Sequence, residues 1–504
     1  MKINENQSLT YWAYLLGVFL ITALPLLNLP PLFSPAPWAQ SIVFRIIFLI
    51  LLLIFVKSIL LKSIYLQEIK NKITSIPPIV SIPLALYLVL IILSTIFSLQ
   101  PFFSFWGSPY RGDGSFNLIL YIIFAFFAYI TIKSKDWIKI WVFALAIGII
   151  VSLIAFAQQF SLLPADILVS YSNGPPSTLG NPNLLAGYLA LLIFIAFYFG
   201  IKQPFDTAQG KLKKIFLFFS IALFLGAILL TMSRAGFLGI ILGSGWMIFF
   251  YRIKNHRINK IKNIFGITMV ALMCIFVYYA NTAVLPSSIK ENNVLNTFFS
   301  SLDLKGLEND GRFSSWQMVF PGLYDNPLLG VGPENFSIVF DKYFDPTLAY
   351  VVAVGGQWWD RAHNFMLEIA LGTGIPSLLV YLFFWTILFI LLQKNKKNNS
   401  DNYLAIHSIQ ATIIAYLAIN FFGFDCPATY IFSFLLVGYS FYYLQKNQGE
   451  PTISNYQEKV FIKNSLSRKS FLATMFLFLV IFLWQFAIAP LKINSKINWA
   501  NYYL

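Results

Sequence analysis

The chain has 504 residues, of which 58% are hydrophobic and only 11% charged, with a mean hydropathy of +0.71. These values exclude an ordinary soluble globular protein and describe an all-α polytopic membrane protein, whose 52 Phe and 26 Tyr suit helices with aromatic ends in lipid. The net charge of +15 fits helix orientation better than a nucleic-acid partner, and two cysteines, Cys274 and Cys426, offer neither a disulfide framework nor a metal cluster.

Crossing a bilayer takes roughly 20 apolar residues. Thirteen such runs follow one another, near 10–29, 41–61, 79–99, 116–133, 138–158, 184–201, 214–232, 235–251, 264–284, 365–392, 403–421, 429–446 and 471–489. No small-residue cleavage site follows the first run, so it reads as a signal anchor. Runs 116–133 and 235–251 are short and suit tilted or protein-buried helices. The chain accordingly divides into N-terminal membrane helices at 1–99, a membrane core at 100–284 and a large loop at 285–362. C-terminal core helices at 363–446 and a linker, last helix and short tail at 447–504 complete it.

The connecting segments alternate in charge. Lys2 and the segments 57–72, 133–139, 202–214, 252–262, 394–397 and 446–469 hold 25 of the 35 basic residues. Cytoplasmic loops retain positive charge, so the amino terminus is expected inside and the carboxyl terminus outside, in agreement with thirteen crossings. The outward segment 285–362 is rich in aromatic and turn residues, as in "YDNPLLGVGPENF" and "GGQWWD", and is expected to fold with short helices.

Four of the eight arginines fall on the outward side: Arg111, Arg234, Arg312 and Arg361. A guanidinium grips phosphate or carboxylate through a planar fork and stays charged, so these residues suit an anionic ligand such as a pyrophosphate delivered from lipid. Pairing with local carboxylates is the competing reading for each. Arg234, in "LLTMSRAGFLG", sits between two apolar runs, where an ionisable group marks a functional site or snorkels to the interface. Arg312, in "NDGRFSSWQ", is expected at the start of an amphipathic helix that Asp310 and Gly311 cap and that ends before "PG". Arg111 lies in the turn-rich "WGSPYRGDG".

His363 opens "HNFMLEIALGTGIP" at the mouth of an apolar run, with Arg361 before it and Glu368 after. It is a candidate base or a helix-capping histidine, oriented by Asp360 or another carboxylate, with Glu368 facing an adjacent direction. His256 and His407 sit on or near the lysine-rich loops and read as bystanders. In "GNPNLLAGYL", Asn181 and Asn183 suit helix capping and Pro182 a first helical turn. Asp425, in "FFGFDCPATY", either orients an arginine or caps the helix beginning near Pro427.

Taken together, "GNPNLLAGYLAL" (180–191), "TMSRAGFLG" (231–239), "GRFSSWQMVFPGLYDNPLLGVGPENF" (311–336) and "HNFMLEIALGTGIPSLL" (363–379) resemble the O-antigen ligase and polymerase superfamily. "FFSFWGSPYRGDGSFNLILY" (102–121) is similar to members carrying a periplasmic tetratricopeptide domain. The resemblance covers roughly residues 100–440. It implies a GT-C-like glycosyltransferase of the bacterial inner membrane that uses no metal or cofactor. The glycan comes from undecaprenyl pyrophosphate on the periplasmic side and goes to a hydroxyl on a glycan, a lipid or a protein. By motif, Arg234 and Arg312 bind the pyrophosphate and His363 activates the acceptor, with Arg111, Asn183, Glu368 and Arg361 as further substrate-binding candidates. Two other readings use the same features: a transporter or flippase for an anionic lipid or solute, and a membrane anchor for a periplasmic domain. A spatial expectation follows, that Arg111, Arg234, Arg312 and His363 converge on one outward cavity.

Overall fold

A computed structural model describes residues 5–30, 32, 34–61, 63–162, 174–202, 208–253, 255–282, 311–344, 359–395, 400–446 and 465–503. In chain order the helices are α1 (Glu5–Thr22), α2 (Pro37–Leu61), α3 (Ser63–Ser75), α4 (Pro78–Ile96), α5 (Pro101–Trp106), α6 (Ser115–Thr131) and α7 (Trp137–Gln159). Next come α8 (Pro182–Lys202), α9 (Ala208–Leu230), α10 (Arg234–Phe250), α11 (His256–Thr282), α12 (Gly311–Asp325) and α13 (Phe336–Lys342). The last six are α14 (Phe365–Thr373), α15 (Ile375–Lys394), α16 (Ser400–Asn420), α17 (Pro427–Lys446), α18 (Ser465–Leu483) and α19 (Ala489–Tyr503).

Every apolar run read from the sequence falls on a helix. Among the described residues nine helical stretches are long and apolar enough to cross a membrane, and α6 and α10 are shorter apolar helices. In α11 and α17 the apolar character is diluted, by the basic start "HRINKIKN" and by Ser and Tyr respectively.

The centre of the bundle is α8, 89% of whose apolar window is buried, ringed by α7, α9, α10, α16 and α17. Small residues along α10 let it approach α16 closely. A Cβ on Gly239 would come within 2.8 Å of the Ala415 carbonyl, and one on Gly243 within 2.9 Å of that of Ala411. Close backbone approach of this kind is how membrane helices gain packing without a hydrophobic drive between them. It also fixes the N-terminus of α10, where Arg234 stands, beside the end of α16.

Three sequence readings change. The single run expected at 365–392 is two helices, broken at Gly374, whose φ of +90° only glycine adopts without strain. A side chain there would overlap the Leu328 carbonyl. The helix carrying Arg312 does not stop before Pro321-Gly322 but runs to Asp325. Pro321 can give no N–H to the Gln317 carbonyl, and both residues are exposed, so water can take that bond. The cap expected at Asp310 lies outside the described residues. Finally, helix continues past 489 into α19 through a π-helical turn at Trp484–Ile488. Pro490 offers nothing to the carbonyl four residues back, Phe486, and Arg45 Nη1 of α2 reaches that carbonyl at 3.0 Å. Arg45 is itself buried, held by Asn117 Oδ1 at 3.1 Å and covered by the Trp106 and Phe116 rings at 5.2 Å each.

Of the large segment between the membrane runs, residues 311–344 form α12 and α13 around a small core of their own that includes Val319, Val331, Phe340 and Leu371. Residues 283–310 and 345–358 of that segment lie outside the described chain.

Gly374→Ala is expected to destabilise the protein by about 2–3 kcal/mol, through backbone strain and the Leu328 clash. A lowered thermal midpoint in detergent checks this, and an unchanged midpoint contradicts it.

Candidate functional site

The site is built on a short stretch before α14, residues 359–364, which is pinned from several sides. Asn364 caps α14, its side chain accepting from Met366 and Leu367 N–H groups at 2.9 and 3.2 Å. Glu368, one turn into the helix, reaches back to accept from the Ala362 N–H at 3.0 Å and from Arg361 Nη1 at 2.9 Å. From α12, Trp316 Nε1 donates to the Ala362 carbonyl at 2.8 Å and Ser315 Oγ to the same oxygen at 3.3 Å. Arg111 closes the other side with a bidentate pair to Asp360, at 2.9 and 3.1 Å.

His363 therefore has little freedom. Its φ of +52° is left-handed, a conformation that costs energy for a residue with a side chain and persists only where its surroundings impose it. Trp359 and Phe424 flank the ring edge-on, with centroids 4.6 and 4.8 Å away. Nδ1 lies 3.0 Å from the Arg361 carbonyl. Because a carbonyl only accepts, the proton sits on Nδ1 and the Nε2 lone pair is left for another partner. The orienting group is a backbone carbonyl, then, where the sequence suggested a carboxylate. Burial, with the charges of Arg312 and Arg111, lowers the His363 pKa to about 4 against the Arg361 bond and Asp360. The imidazole is neutral near pH 7.

A narrow cleft of about 30 Å³ opens at His363, lined also by Asn181, Asn183, Ala235, Asn420 and Phe424. It has room for a hydroxyl group or a water, not for a sugar ring. Asn181 caps α8 and accepts from the Asn183 N–H at 2.8 Å, with Pro182 in the first turn, while Asn183 faces the cleft. Ala235 brings the start of α10 to the same place, directly after Arg234, where Ser233 caps the helix through the Gly236 N–H.

The structure thus brings the segments of His363, Asn183, Arg234, Arg312 and Arg111 to one end of the bundle. Arg361 and Glu368 are placed differently from the substrate-binding role expected of them. Arg361 is 7% exposed and faces three carboxylates: Glu334, Glu368 at 2.9 Å and Asp113 at 3.5 Å. Its fork is filled by protein, and Glu368 is occupied by Arg361 and Ala362. Asp425 neither caps α17 nor holds an arginine in a direct pair; it accepts from Tyr416 Oη at 2.7 Å and Asn420 Nδ2 at 3.1 Å. Burial pushes its carboxyl up to about 6. His407 is not near a loop but fully buried in α16, among the rings of Tyr403, Trp246 and Tyr251.

Sequence reasoning passed over Glu334, Asp113 and Asn335. Glu334 accepts from the Ser108 N–H at 3.2 Å as well as from Arg361, and its φ of +70° is left-handed too. Asn335 Nδ2 ties the Ser98 and Ser104 hydroxyls and the Val331 carbonyl together, at 2.6, 3.0 and 2.8 Å. Part of the signal was present, since Asp113 in "RGDG" stands two residues from Arg111 and Glu334 lies in the turn-rich "GPENF".

Residues 219–382 match the O-antigen ligase family, and that stretch holds Arg234, Arg312, Glu334, Arg361, His363 and Glu368. The chain is also 23% identical, over 300 residues, to a ComP-specific O-oligosaccharyltransferase of Acinetobacter baylyi, covering 58% of this chain and 49% of that protein. It spans about half the length of this curated relative. The matched segment and the relative together support a likeness to the O-antigen ligase-like superfamily.

Proposed function

We propose that the protein transfers a glycan from a lipid-linked pyrophosphate, undecaprenyl pyrophosphate by the family resemblance, to an acceptor hydroxyl at the His363 cleft. One observation carries this reading. A neutral histidine is held by its Nδ1–H with Nε2 unused, in a cleft of hydroxyl size, within reach of the charges of Arg312 and Arg111 and beside Ala235, the residue after Arg234. The acceptor O–H gives its proton to Nε2 as its oxygen bonds to the anomeric carbon. The bond from that carbon to the pyrophosphate breaks, and the lipid pyrophosphate leaves with the electron pair. Arg234 and Arg312 face the charge that grows on the leaving group, with Arg111 held by Asp360 at the edge, and Asn183 lies where the acceptor enters. Preorganised cations are most effective against charge that develops in the transition state. Arg361 and Glu368 act as the frame that sets His363.

The lysine-rich helix ends lie at the opposite end of α6 from this site, which supports an inner-membrane protein whose cleft faces the periplasm. The Acinetobacter relative makes a protein hydroxyl one acceptor to test beside a glycan and a lipid core.

Reconstitution with lipid-linked oligosaccharides from native membranes tests the proposal, with products read by mass spectrometry. Glycan joined to an acceptor supports it. Donor moved across a vesicle membrane without transfer supports a flippase instead. His363→Ala is expected to cost about 10²–10⁴-fold in rate. Arg234→Ala and Arg312→Ala are each expected to cost about 10²–10³-fold, all three with an unchanged unfolding midpoint. Wild-type rates in these variants would overturn the assignment, and transfer is expected to persist in EDTA.

The pH profile gives a second check. His363 works unprotonated, so activity falls as pH drops through its pKa. The acid limb of kcat/KM is expected near pH 4. An anionic donor stabilises the imidazolium, so the limb of kcat is expected at higher pH. Coincident limbs would show that no anion binds beside His363.

A further inference from the structure

Far from His363, at the other end of α6, the structure holds a cavity of about 650 Å³. It lies among the start of α1, the end of α2, the middle of α3, the end of α6 and the start of α7. Among the described residues, Lys72, Lys133, Lys135 and Lys139 line it against two carboxylates, Glu68 and Asp136. One of those is already engaged: Asp136 accepts from the Tyr11 hydroxyl and pairs with Lys139 at 2.7 Å. The cations are held in place. Lys72 Nζ donates to the Ile130 carbonyl at 2.8 Å, at the end of α6, and Lys133 Nζ stands 4.0 Å above the Tyr11 ring. Fixed positive charge that outnumbers the described carboxylates around a void of ligand size selects an anion.

The remaining lining says which kind. Trp12, Phe55, Ile59, Ile69 and Ile130 give the cavity an apolar wall, and Trp12 is 57% exposed. Trp12 also belongs to a stripe on α1 with Leu9, Leu16 and Leu20, all exposed on a helix apolar enough to cross the membrane. Such a stripe is a lipid-facing surface, and the cavity adjoins it. We propose that this cavity binds the headgroup of an anionic phospholipid, with the phosphate among the lysines and an acyl chain along Trp12, Leu16 and Leu20. The bound lipid braces four helix ends and the middle of α3, which line this cavity. This site is independent of the transfer reaction and of the arginines near His363.

The test uses the full chain, delipidated in detergent, with thermal unfolding followed as phosphatidylglycerol, phosphatidylcholine or inorganic phosphate is added. Phosphatidylglycerol is expected to raise the midpoint in a dose-dependent way, and phosphatidylcholine is not. In the double variant Lys133→Gln, Lys135→Gln, two juxtamembrane charges are lost, and about 30-fold more phosphatidylglycerol should be needed for the same shift. Should that variant fail to fold, Lys135→Gln alone carries the comparison, with about a fivefold shift expected. An equal response to phosphatidylcholine, or an unaltered response in the lysine variant, overturns the proposal. Inorganic phosphate giving the same shift through the same lysines overturns it in favour of a soluble anion.

Discussion

One guanidinium holds the His363 end of this protein together. Arg361 is buried and meets carboxylates from three separate pieces of chain: Asp113 before α6, Glu334 before α13 and Glu368 within α14. A buried ion cluster of this sort adds little net stability over an apolar core, because desolvation offsets attraction. What it does is fix register. Removing the cation would leave three acids facing one another, so the four segments can meet in one arrangement only. Three acids to one cation is an excess of negative charge, and burial pushes Asp113 well up, toward the protonated form that relieves it. By contrast, Asp360 would also rise through burial, yet the grip of Arg111 outweighs this and holds it below the usual range.

From that frame the geometry of His363 follows. The Arg361 side chain is tied below, so its carbonyl is positioned above, where it takes the Nδ1 proton. The left-handed backbone at His363 is strain that the Asn364 cap and the Glu368 and Trp316 bonds on either side impose. Three neighbouring arginines differ in what they do. Arg361 meets three carboxylates and Arg111 holds Asp360, while the charges of Arg312 and Arg111 lower the pKa of the imidazole.

Much of this was legible in the residues. Apolar runs gave the helices because their length and composition leave few other structures in lipid. Three of the motif segments join a polar turn to apolar helix at the same end of the bundle, and the fourth, with α12, is tied to the Ala362 carbonyl by Ser315 and Trp316. The readings that changed depend on single backbone bonds rather than on pattern. Hydropathy does not register one left-handed glycine, so the break at Gly374 was invisible within a continuous apolar run. Nor does it register that Pro321 lies on an exposed face. Arg361 could not be told from Arg312 by sequence, since both are outward arginines near aromatic residues. What separates them is the company of Asp113, Glu334 and Glu368, two of which come from distant segments.

The last membrane helix, α18, is attached in another manner. Only 6% of its apolar window is buried. Its contacts gather toward its far end and the π-helical turn, where Phe482 meets the Trp106 and Phe116 rings, Arg45 reaches the Phe486 carbonyl and the Trp106 ring stacks on Phe486 at 4.4 Å. The bonds that shape the His363 cleft run through other elements. A change in the length or sequence of α18 would therefore disturb its contacts with α2 and Trp106 and leave the bonds around His363 in place.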